Sequence, residues 1–142
     1  MILILEDNED RIVQFRAAAR AIAPDLPVRV WRSAPGMIAE LADYLQQAAI
    51  ISLDHDLLRA PDDIEDPGTG VDVANLLGEL IPICPVIIHT SNADRRNWMV
   101  GALSLAGWQV DCVYPSGDDW IAKQWAPLVR ERLAKITKRP PI

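Results

Sequence analysis

Acidic side chains follow two apolar runs of the chain. Glu6 and Asp7 come directly after "ILIL", and Asp54 and Asp56 flank His55 directly after "AIISL". Two carboxylates about 4 Å apart repel each other by roughly 4 kcal/mol at an effective dielectric constant of 20. A divalent cation that prefers oxygen ligands, such as Mg²⁺ or Mn²⁺, would relieve that repulsion. We therefore expect Glu6, Asp7, Asp54 and Asp56 to form a metal site; the alternative is that these acids lie on separate loops in solvent.

Both histidines of the chain lie near the ends of apolar runs. His55 follows Asp54, and His89 ends "PVIIH". Because imidazole titrates near neutral pH, a pair of histidines can act as general base and general acid in phosphoester cleavage while a metal ion carries the charge on the phosphoryl oxygens. The sequence thus predicts His55, His89 and Asp54 as catalytic residues. The alternative is that either histidine is a hydrogen-bonded structural group, and alternation along a strand would turn His55 away from Asp54.

Two predicted helix starts carry groups that suit a phosphate. Exposed backbone amides at a helix start bind anions, and hydroxyl, amide and guanidinium groups donate hydrogen bonds to phosphate oxygens. The candidate phosphate-binding residues are Thr69, Gly70, Thr90, Ser91, Asn92 and Arg95. A plain helix cap is the alternative role for Asn92. The connection over residues 56–68, which leads to the first of these starts, is long enough to be a lid or a binding loop.

Short β-branched runs alternate with helical periods along the whole chain. This alternation predicts one three-layer α/β domain over residues 1–142, with a five-stranded parallel sheet in the order 2-1-3-4-5. The predicted strands cover residues 2–5, 28–32, 48–53, 85–89 and 108–114. Strands one and three are neighbours in this order, and ligands bind at the carboxyl ends of such strands. The sequence therefore places the acids and both histidines at one edge of the sheet.

Helical spacing predicts which faces of the helices turn toward the sheet. Ser33 supplies a cap and Pro35 a first-turn proline for the second helix, and the third helix covers residues 70–80. The expected inward-facing residues of the first, second, fourth and fifth helices are Ile12, Phe15, Ala19, Ile22, Ile38, Leu41, Leu45, Trp98, Met99, Ala102, Leu105, Ala106, Ile121, Trp125, Leu128, Val129 and Leu133.

Composition and charge disfavour several classes of protein. Fourteen basic against twenty acidic residues give a formal charge of −6, which disfavours general binding to nucleic acid. No run of 18 apolar residues or basic leader occurs, so we expect no membrane span and a cytoplasmic location. Cys84 and Cys112 lack metal-ligand spacing and are expected to be buried thiols in a reducing compartment.

The motifs resemble the receiver superfamily, the phosphoacceptor domains of two-component signalling. "ILILEDNEDR" is similar to the acidic opening of a receiver, Asp54 falls at the phosphoacceptor position, and "PVIIHTS" places Thr90 at the switch position. The fifth strand departs from the pattern. Receivers carry a lysine before a proline there, and this chain has Tyr114 before Pro115.

Within that superfamily, "LDHDL", "TGVDVA" and "IIHTSN" resemble the cyclic-phosphate processing receiver domain family. The resemblance implies a flavodoxin-like receiver fold, a metal-binding acidic pocket and histidines recruited for chemistry on cyclic phosphate. The first hypothesis is therefore a Mg²⁺- or Mn²⁺-dependent phosphoesterase whose ligand is a cyclic nucleotide or another small cyclic phosphate. Two alternatives stay open. One is a signalling receiver that is phosphorylated on Asp54 and contacts a partner protein through its fourth helix and fifth strand, and the other is a non-catalytic module that binds a metal or a phosphorylated ligand.

Overall fold

The computed structural model of the protein describes residues 1–58 and 65–137. Its sheet contains five parallel strands in the order β2-β1-β3-β4-β5, which confirms the predicted fold class and strand order. The strands are β1 (Ile2–Leu5), β2 (Val28–Trp31), β3 (Ile50–Leu53), β4 (Val86–His89) and β5 (Val110–Val113). Leu5 of β1 lies opposite Leu53 of β3, so the two acidic segments begin side by side.

Five α-helices cover the two faces of this sheet within the described part of the chain. They are α1 (Glu9–Ile22), α2 (Ala34–Tyr44), α3 (Gly70–Leu77), α4 (Ala93–Leu105) and α5 (Ala126–Thr137). A 3₁₀ turn, Leu45–Gln47, follows α2, and a π-helical turn, Ile121–Trp125, leads into α5. None of the described helices is both long enough and apolar enough to cross a membrane. The middle of the predicted lid, residues 59–64, lies outside the described residues.

Alternation along the strands divides the core into two layers. Leu3 and Leu5 pack with α2, α3 and α4 on one face, and Ile2 and Ile4 pack with α1, α5 and the π turn on the other. Both layers are buried, as a parallel sheet with helices on both faces requires. The alternation also decides where polar residues at the strand ends point. Glu6 continues the side of Ile2 and Ile4, and it therefore faces the layer formed by α1 and α5.

Polar caps fix the starts of the helices near the carboxyl ends of the strands. The side chains of Asn8, Ser33 and Asn92 accept hydrogen bonds from backbone amides in the first turns of α1, α2 and α4. Thr69 forms a capping box with Asp72 at the start of α3. These caps satisfy amides that have no partner within their helix. The predicted cap role of Ser33 is confirmed, and Asn92 has the cap role that was given as its alternative.

The predicted buried stripe of α4 is partly wrong. Met99 and Leu103 are fully buried, but Trp98 is 59% exposed and Leu105 is 92% exposed. One side of α4 contacts the core, and residues four apart share that side, whereas Trp98 lies about 100° around the helix from Met99. The same reasoning corrects α2, in which Met37 is buried and Ile38 is 36% exposed.

The predicted burial of the two thiols holds fully for only one of them. Cys84 is buried and Cys112 is half-buried, and both are free thiols. Burial raises the pKa of the Cys84 thiol to about 12 and also raises that of Cys112. Cys84 therefore has little nucleophilic character at neutral pH.

The corrected stripe of α4 leads to a stability prediction. Met99→Ala should lower the free energy of unfolding by about 2–5 kcal/mol, because it removes a fully buried side chain and leaves a cavity. Trp98→Ala, at the neighbouring and exposed position, should change it by only about 0.5 kcal/mol or less. Urea unfolding monitored by far-UV circular dichroism measures both changes. A larger loss for Trp98→Ala than for Met99→Ala would contradict the assigned stripe.

Candidate functional site

Three buried polar side chains converge at the carboxyl ends of adjacent strands. Ligand atoms of Glu6 after β1, Asp54 after β3 and His89 at the end of β4 all lie within 4.8 Å of one another. The pairing of β1 with β3 and of β3 with β4 brings them together. We call these three residues, together with the neighbouring Asp7, the acidic pocket.

Glu6 is fully buried, and four partners compensate its charge. Its Oε1 accepts hydrogen bonds from the backbone amides of Asp7 and Asn8, each at 3.1 Å. Its Oε2 lies 3.1 Å from Nε2 of His89 and 3.8 Å from Nη1 of Arg11. Burial acts to raise the pKa of Glu6, but the hydrogen bonds and the Arg11 charge outweigh burial and hold that pKa below its usual value. Glu6 is therefore a fixed negative charge at the base of the pocket.

His89 lies inside the protein with both ring nitrogens engaged. Nδ1 is 2.8 Å from Oγ of Ser52, and that oxygen accepts a hydrogen bond of 3.0 Å from Nε1 of Trp125. The Ser52 hydroxyl has one proton to donate and two lone pairs that accept, so it can pair with both Trp125 and Nδ1 of His89. Nε2 faces the Glu6 carboxylate, and a proton on Nε2 is donated to that carboxylate. In this arrangement neither nitrogen of His89 is available to a ligand, so His89 acts as a support for Glu6.

In contrast to Glu6, Asp54 has too few partners to compensate a negative charge. Its side chain is buried, and its Oδ1 accepts a 2.7 Å hydrogen bond from the backbone amide of His55. Burial, and next to it the negative charge of Glu6, raise the pKa of Asp54 to about 8. Asp7 is half-buried, and burial also raises its pKa although Oδ2 accepts a 2.6 Å hydrogen bond from the amide of Leu58. The groups of the chain itself thus leave the charges of Asp54 and Asp7 incompletely compensated.

The acidic pocket fits a hard divalent cation. Its donors are carboxylate oxygens, which Mg²⁺ and Mn²⁺ prefer, and an added positive charge would offset the effects that raise the pKa values of Asp54 and Asp7. Asp56, the fourth predicted metal ligand, is exposed, and its Oδ1 lies 2.7 Å from Nδ1 of His55. The structure thus pairs Asp56 with the histidine and does not bring it into the cluster.

His55 occupies a buried position directly beside Asp54. Its Nδ1 pairs with Asp56, and its backbone oxygen accepts a 3.1 Å hydrogen bond from the amide of Gly70. A carboxylate on Nδ1 favours the tautomer with the proton on that nitrogen, which leaves Nε2 as the basic atom. His55 therefore has the local arrangement of a general base, in contrast to His89.

The backbone amides predicted to bind an anion at the start of α3 already have partners. The amide of Thr69 donates to Oδ2 of Asp72 at 3.0 Å, and that of Gly70 donates to the backbone oxygen of His55. A Cβ at Gly70 would lie 2.0 Å from the backbone oxygen of Asp54. The glycine is thus required for close packing of α3 against β3, and this correction removes Thr69 and Gly70 from the phosphate-binding groups.

The segment between β4 and α4 offers fewer free groups than the sequence indicated. Thr90 is buried, and its Oγ1 accepts a 3.1 Å hydrogen bond from the amide of Asn92. The Asn92 side chain caps α4 through the amide of Arg95. Ser91 and the Arg95 side chain are exposed at this rim. Two of the four predicted groups therefore shape the turn, and two face solvent.

Sequence reasoning missed two residues of the site, Ser52 and Arg11. A serine in the middle of the apolar run "AIISL" was the available signal for Ser52, since a buried hydroxyl needs a partner. Arg11 stands within "EDNEDR", directly after the acids, and its charge lowers the pKa values of both Glu6 and Asp54. Arg11 could not be recognised without knowing that Asn8 caps α1. This cap starts the helix at a point where its first turn lies next to the end of β1.

The strand order and the acids after β1 and β3 define a receiver-type domain. The model of the cyclic-phosphate processing receiver domain family matches residues 1–105, and the chain belongs to this family. No curated protein is similar enough in sequence to give a significant match.

Solved structures of response regulators share the fold of this chain. A response regulator receiver domain from Rhodospirillum rubrum is 19% identical with a TM-score of 0.65, and the alignment covers 99% of this chain and 96% of that one. The phosphorylated cyanobacterial phytochrome response regulator RcpA is 20% identical with a TM-score of 0.63, covering 92% and 88%. The Mn²⁺-bound form of response regulator Rcp1 is 15% identical with a TM-score of 0.63, covering 99% and 96%. At these identities the similarity establishes the fold.

The raised pKa of Asp54 leads to a prediction for the metal-free protein. A carboxyl whose pKa is 3.8 when unfolded and about 8 when folded binds its proton more tightly in the folded state, so its contribution to stability falls as the pH rises through that interval. Asp54→Asn should remove this loss and raise the free energy of unfolding at pH 8 by about 1–3 kcal/mol, the size typical of relieving a buried unpaired charge. Urea unfolding in EDTA from pH 5 to pH 8.5 tests it.

Asp43→Asn, which removes an exposed carboxyl on α2, is the matched control and should follow the wild-type pH profile. An Asp54→Asn variant that is less stable than the wild type at pH 8 in EDTA would refute the assigned electrostatic conflict.

Proposed function

We propose that this protein is a divalent-metal-dependent phosphoesterase that opens cyclic phosphates, with a cyclic nucleotide or another small cyclic phosphate as substrate. One observation carries the proposal: Glu6 and Asp54 converge at one edge of the sheet, and His55, whose backbone amide donates to Asp54, has its ring oriented by the carboxylate of Asp56. A receiver that only accepts a phosphoryl group needs the acids but has no use for a buried base directly after Asp54. The family to which the chain belongs is described as processing cyclic phosphates, in agreement with this proposal.

The metal ligands in this proposal are Glu6, Asp7 and Asp54. Bound Mg²⁺ or Mn²⁺ would supply charge stabilisation for the phosphoryl oxygens. The Mn²⁺-bound structure of Rcp1 supports the choice of cation on the same fold. His89 acts as a positioning residue, because its Nε2–H and the two backbone amides hold the Glu6 carboxylate in one orientation.

His55 is the general base of the proposed reaction. With its Nδ1 proton directed to Asp56, Nε2 takes a proton from the water that attacks phosphorus. One phosphorus–oxygen bond of the ring breaks as the new bond forms, and His55 returns the proton to the leaving oxygen. The product is a phosphomonoester. Ser91 and Arg95, which are exposed at the start of α4, would contact the rest of the substrate.

Incubation with Mg²⁺ or Mn²⁺ and either 2′,3′-cyclic or 3′,5′-cyclic nucleotides should release a monoester, detected by ³¹P NMR or chromatography. EDTA should abolish the reaction. His55→Asn should lower kcat about 100-fold or more, because it removes the general base. Asp56→Asn should lower it about 10-fold or more, because the ring loses the partner that fixes its tautomer.

Both variants should bind Mn²⁺ as the wild type does, since neither position belongs to the acidic pocket. Asp94→Asn, an exposed acid in the first turn of α4, is the matched control and should keep full activity. Mn²⁺-loaded protein that opens neither class of cyclic nucleotide, or a His55→Asn variant with wild-type kcat, would refute the proposed reaction.

A second candidate function is phosphorylation of Asp54 in a signalling receiver. The observation that favours it is the position of Asp54, directly after β3 and beside the acid of β1, in a fold shared with a phosphorylated response regulator. In that case α4 and β5, which expose Trp98 and the adjoining Tyr114, would contact a partner protein. Incubation with acetyl phosphate and Mg²⁺ should then add one phosphate by intact mass, and Asp54→Asn should abolish it.

The two reactions are distinguished by His55. Phosphorylation of Asp54 should survive His55→Asn, whereas opening of a cyclic phosphate should not. Metal binding without either reaction would leave the third hypothesis, a non-catalytic module that binds a metal or a phosphorylated ligand.

A further inference from the structure

We propose that Arg11 is the cation that binds the phosphate group of the ligand at the acidic pocket. This inference rests on the metal site of the proposed function and adds to it the residue that selects for an anion.

Arg11 lies where the first turn of α1 meets the end of β1. Its backbone amide donates to Oδ1 of Asn8 at 3.0 Å, which fixes the turn. Its guanidinium lies 3.8 Å from Oε2 of Glu6 and 5.4 Å from the centre of the Trp120 ring. The side chain is 34% exposed. The guanidinium is therefore held over the rim of the acidic pocket and keeps access to solvent.

The Arg11 charge acts on both acids at the centre of the pocket. It lowers the pKa of Glu6 and that of Asp54, although other effects are larger in each case. Of the described residues, Arg11 is the basic side chain that acts on both acids, and His89 also lowers the pKa of Glu6. Arg95 is exposed on α4, and the Arg96 guanidinium lies over the Tyr114 ring at 4.5 Å. The end of β5 itself adds only the neutral Tyr114 to this edge of the sheet.

A count of charges shows why a phosphate needs this cation. Three ionised carboxylates, those of Glu6, Asp7 and Asp54, and one divalent cation sum to −1, so the loaded pocket would still repel a phosphate anion. The guanidinium of Arg11 brings the sum to zero. Arg11 therefore removes the net repulsion between such a pocket and an anion.

The N–H groups of the Arg11 guanidinium do not form an ordinary hydrogen bond with Glu6. The separation of 3.8 Å exceeds the 2.7–3.2 Å of an ordinary N–H···O hydrogen bond. A guanidinium has five N–H donors, and its planar arrangement suits two oxygens of one phosphate. Arg11 also lines a cavity of about 680 Å³ together with Asp10, Gln14, Asp118 and Trp120, and no residue of the acidic pocket lines that cavity.

The test uses the full chain loaded with Mn²⁺ and inorganic phosphate as the probe. Broadening of the ³¹P signal by the paramagnetic ion reports phosphate that binds at the metal. Arg11→Gln should weaken phosphate binding about tenfold or more, as expected for loss of a charge-assisted hydrogen bond. Arg11→Lys should be intermediate, because it keeps the charge and loses the planar fork. Arg16→Gln, an exposed arginine of the same helix, is the matched control and should bind phosphate as the wild type does.

The affinity for Mn²⁺ separates phosphate binding from a structural role. Arg11→Gln should bind Mn²⁺ as tightly as the wild type or a few-fold more tightly, because a positive charge near the cation is removed. If Arg11 only supported Glu6, the same variant would bind Mn²⁺ more weakly. Weakened Mn²⁺ binding in Arg11→Gln would therefore overturn the inference.

Four further results would also overturn it, and they differ in what else they affect. Wild-type protein that binds Mn²⁺ and no phosphate, or an Arg11→Gln variant that binds phosphate as the wild type does, would remove the role of Arg11 and leave the metal site intact. A loss of phosphate binding in Arg95→Gln without a loss in Arg11→Gln would transfer the role to Arg95. A wild-type protein that binds no Mn²⁺ would refute the metal site of the proposed function together with this inference.

Discussion

The hydrogen bond between His89 and Glu6 is the interaction on which the electrostatics of the site depend. A carboxylate with no exposed surface is costly unless hydrogen bonds and opposite charge compensate it, and Glu6 obtains both from the imidazole, two amides and Arg11. The adjacent Asp54 cannot ionise at its usual pH, because burial, and next to it the negative charge of Glu6, raise its pKa. One well-supported acid thus creates the need for a cation at its neighbour.

The support behind Glu6 extends through the protein to α5. His89 is bonded to Ser52, and Ser52 to the indole of Trp125, so a chain of hydrogen bonds joins the pocket to the π-helical turn. A π turn pairs residues five apart, which places Trp120 and Trp125 on the same side, where both rings contact Phe15. An ordinary α-helical turn would separate these two rings. The irregular turn therefore belongs to the structure that fixes the buried carboxylate.

The sequence was sufficient for the fold and for the meeting of acids from two strands. Runs of β-branched residues determine the strands, and the rules of parallel sheets determine their order, so the position of Glu6 beside Asp54 followed without coordinates. The burial and the hydrogen-bond partners of the individual polar groups could not be predicted from the sequence. His89 is buried because rings from α1 and the segment before α5 surround it, and such distant contacts leave no local pattern. The amides of Thr69 and Gly70 are consumed by partners that a sequence cannot assign.

Both candidate functions require Asp54 to lose its proton, and they differ in the nucleophile that then attacks phosphorus. Asp54 must lose its proton before it can bind a cation or attack phosphorus, and at neutral pH a divalent cation is the agent that favours this loss. After that step a receiver would use the Asp54 carboxylate as nucleophile, whereas a phosphoesterase would use a water molecule and would need a base for its proton. Alternation along β4 turns His89 toward α1 and the segment before α5. His55 lies beyond the end of β3 and is paired with the exposed Asp56. Only His55 of the two has an arrangement suited to that proton, and this difference between the histidines favours water as the nucleophile.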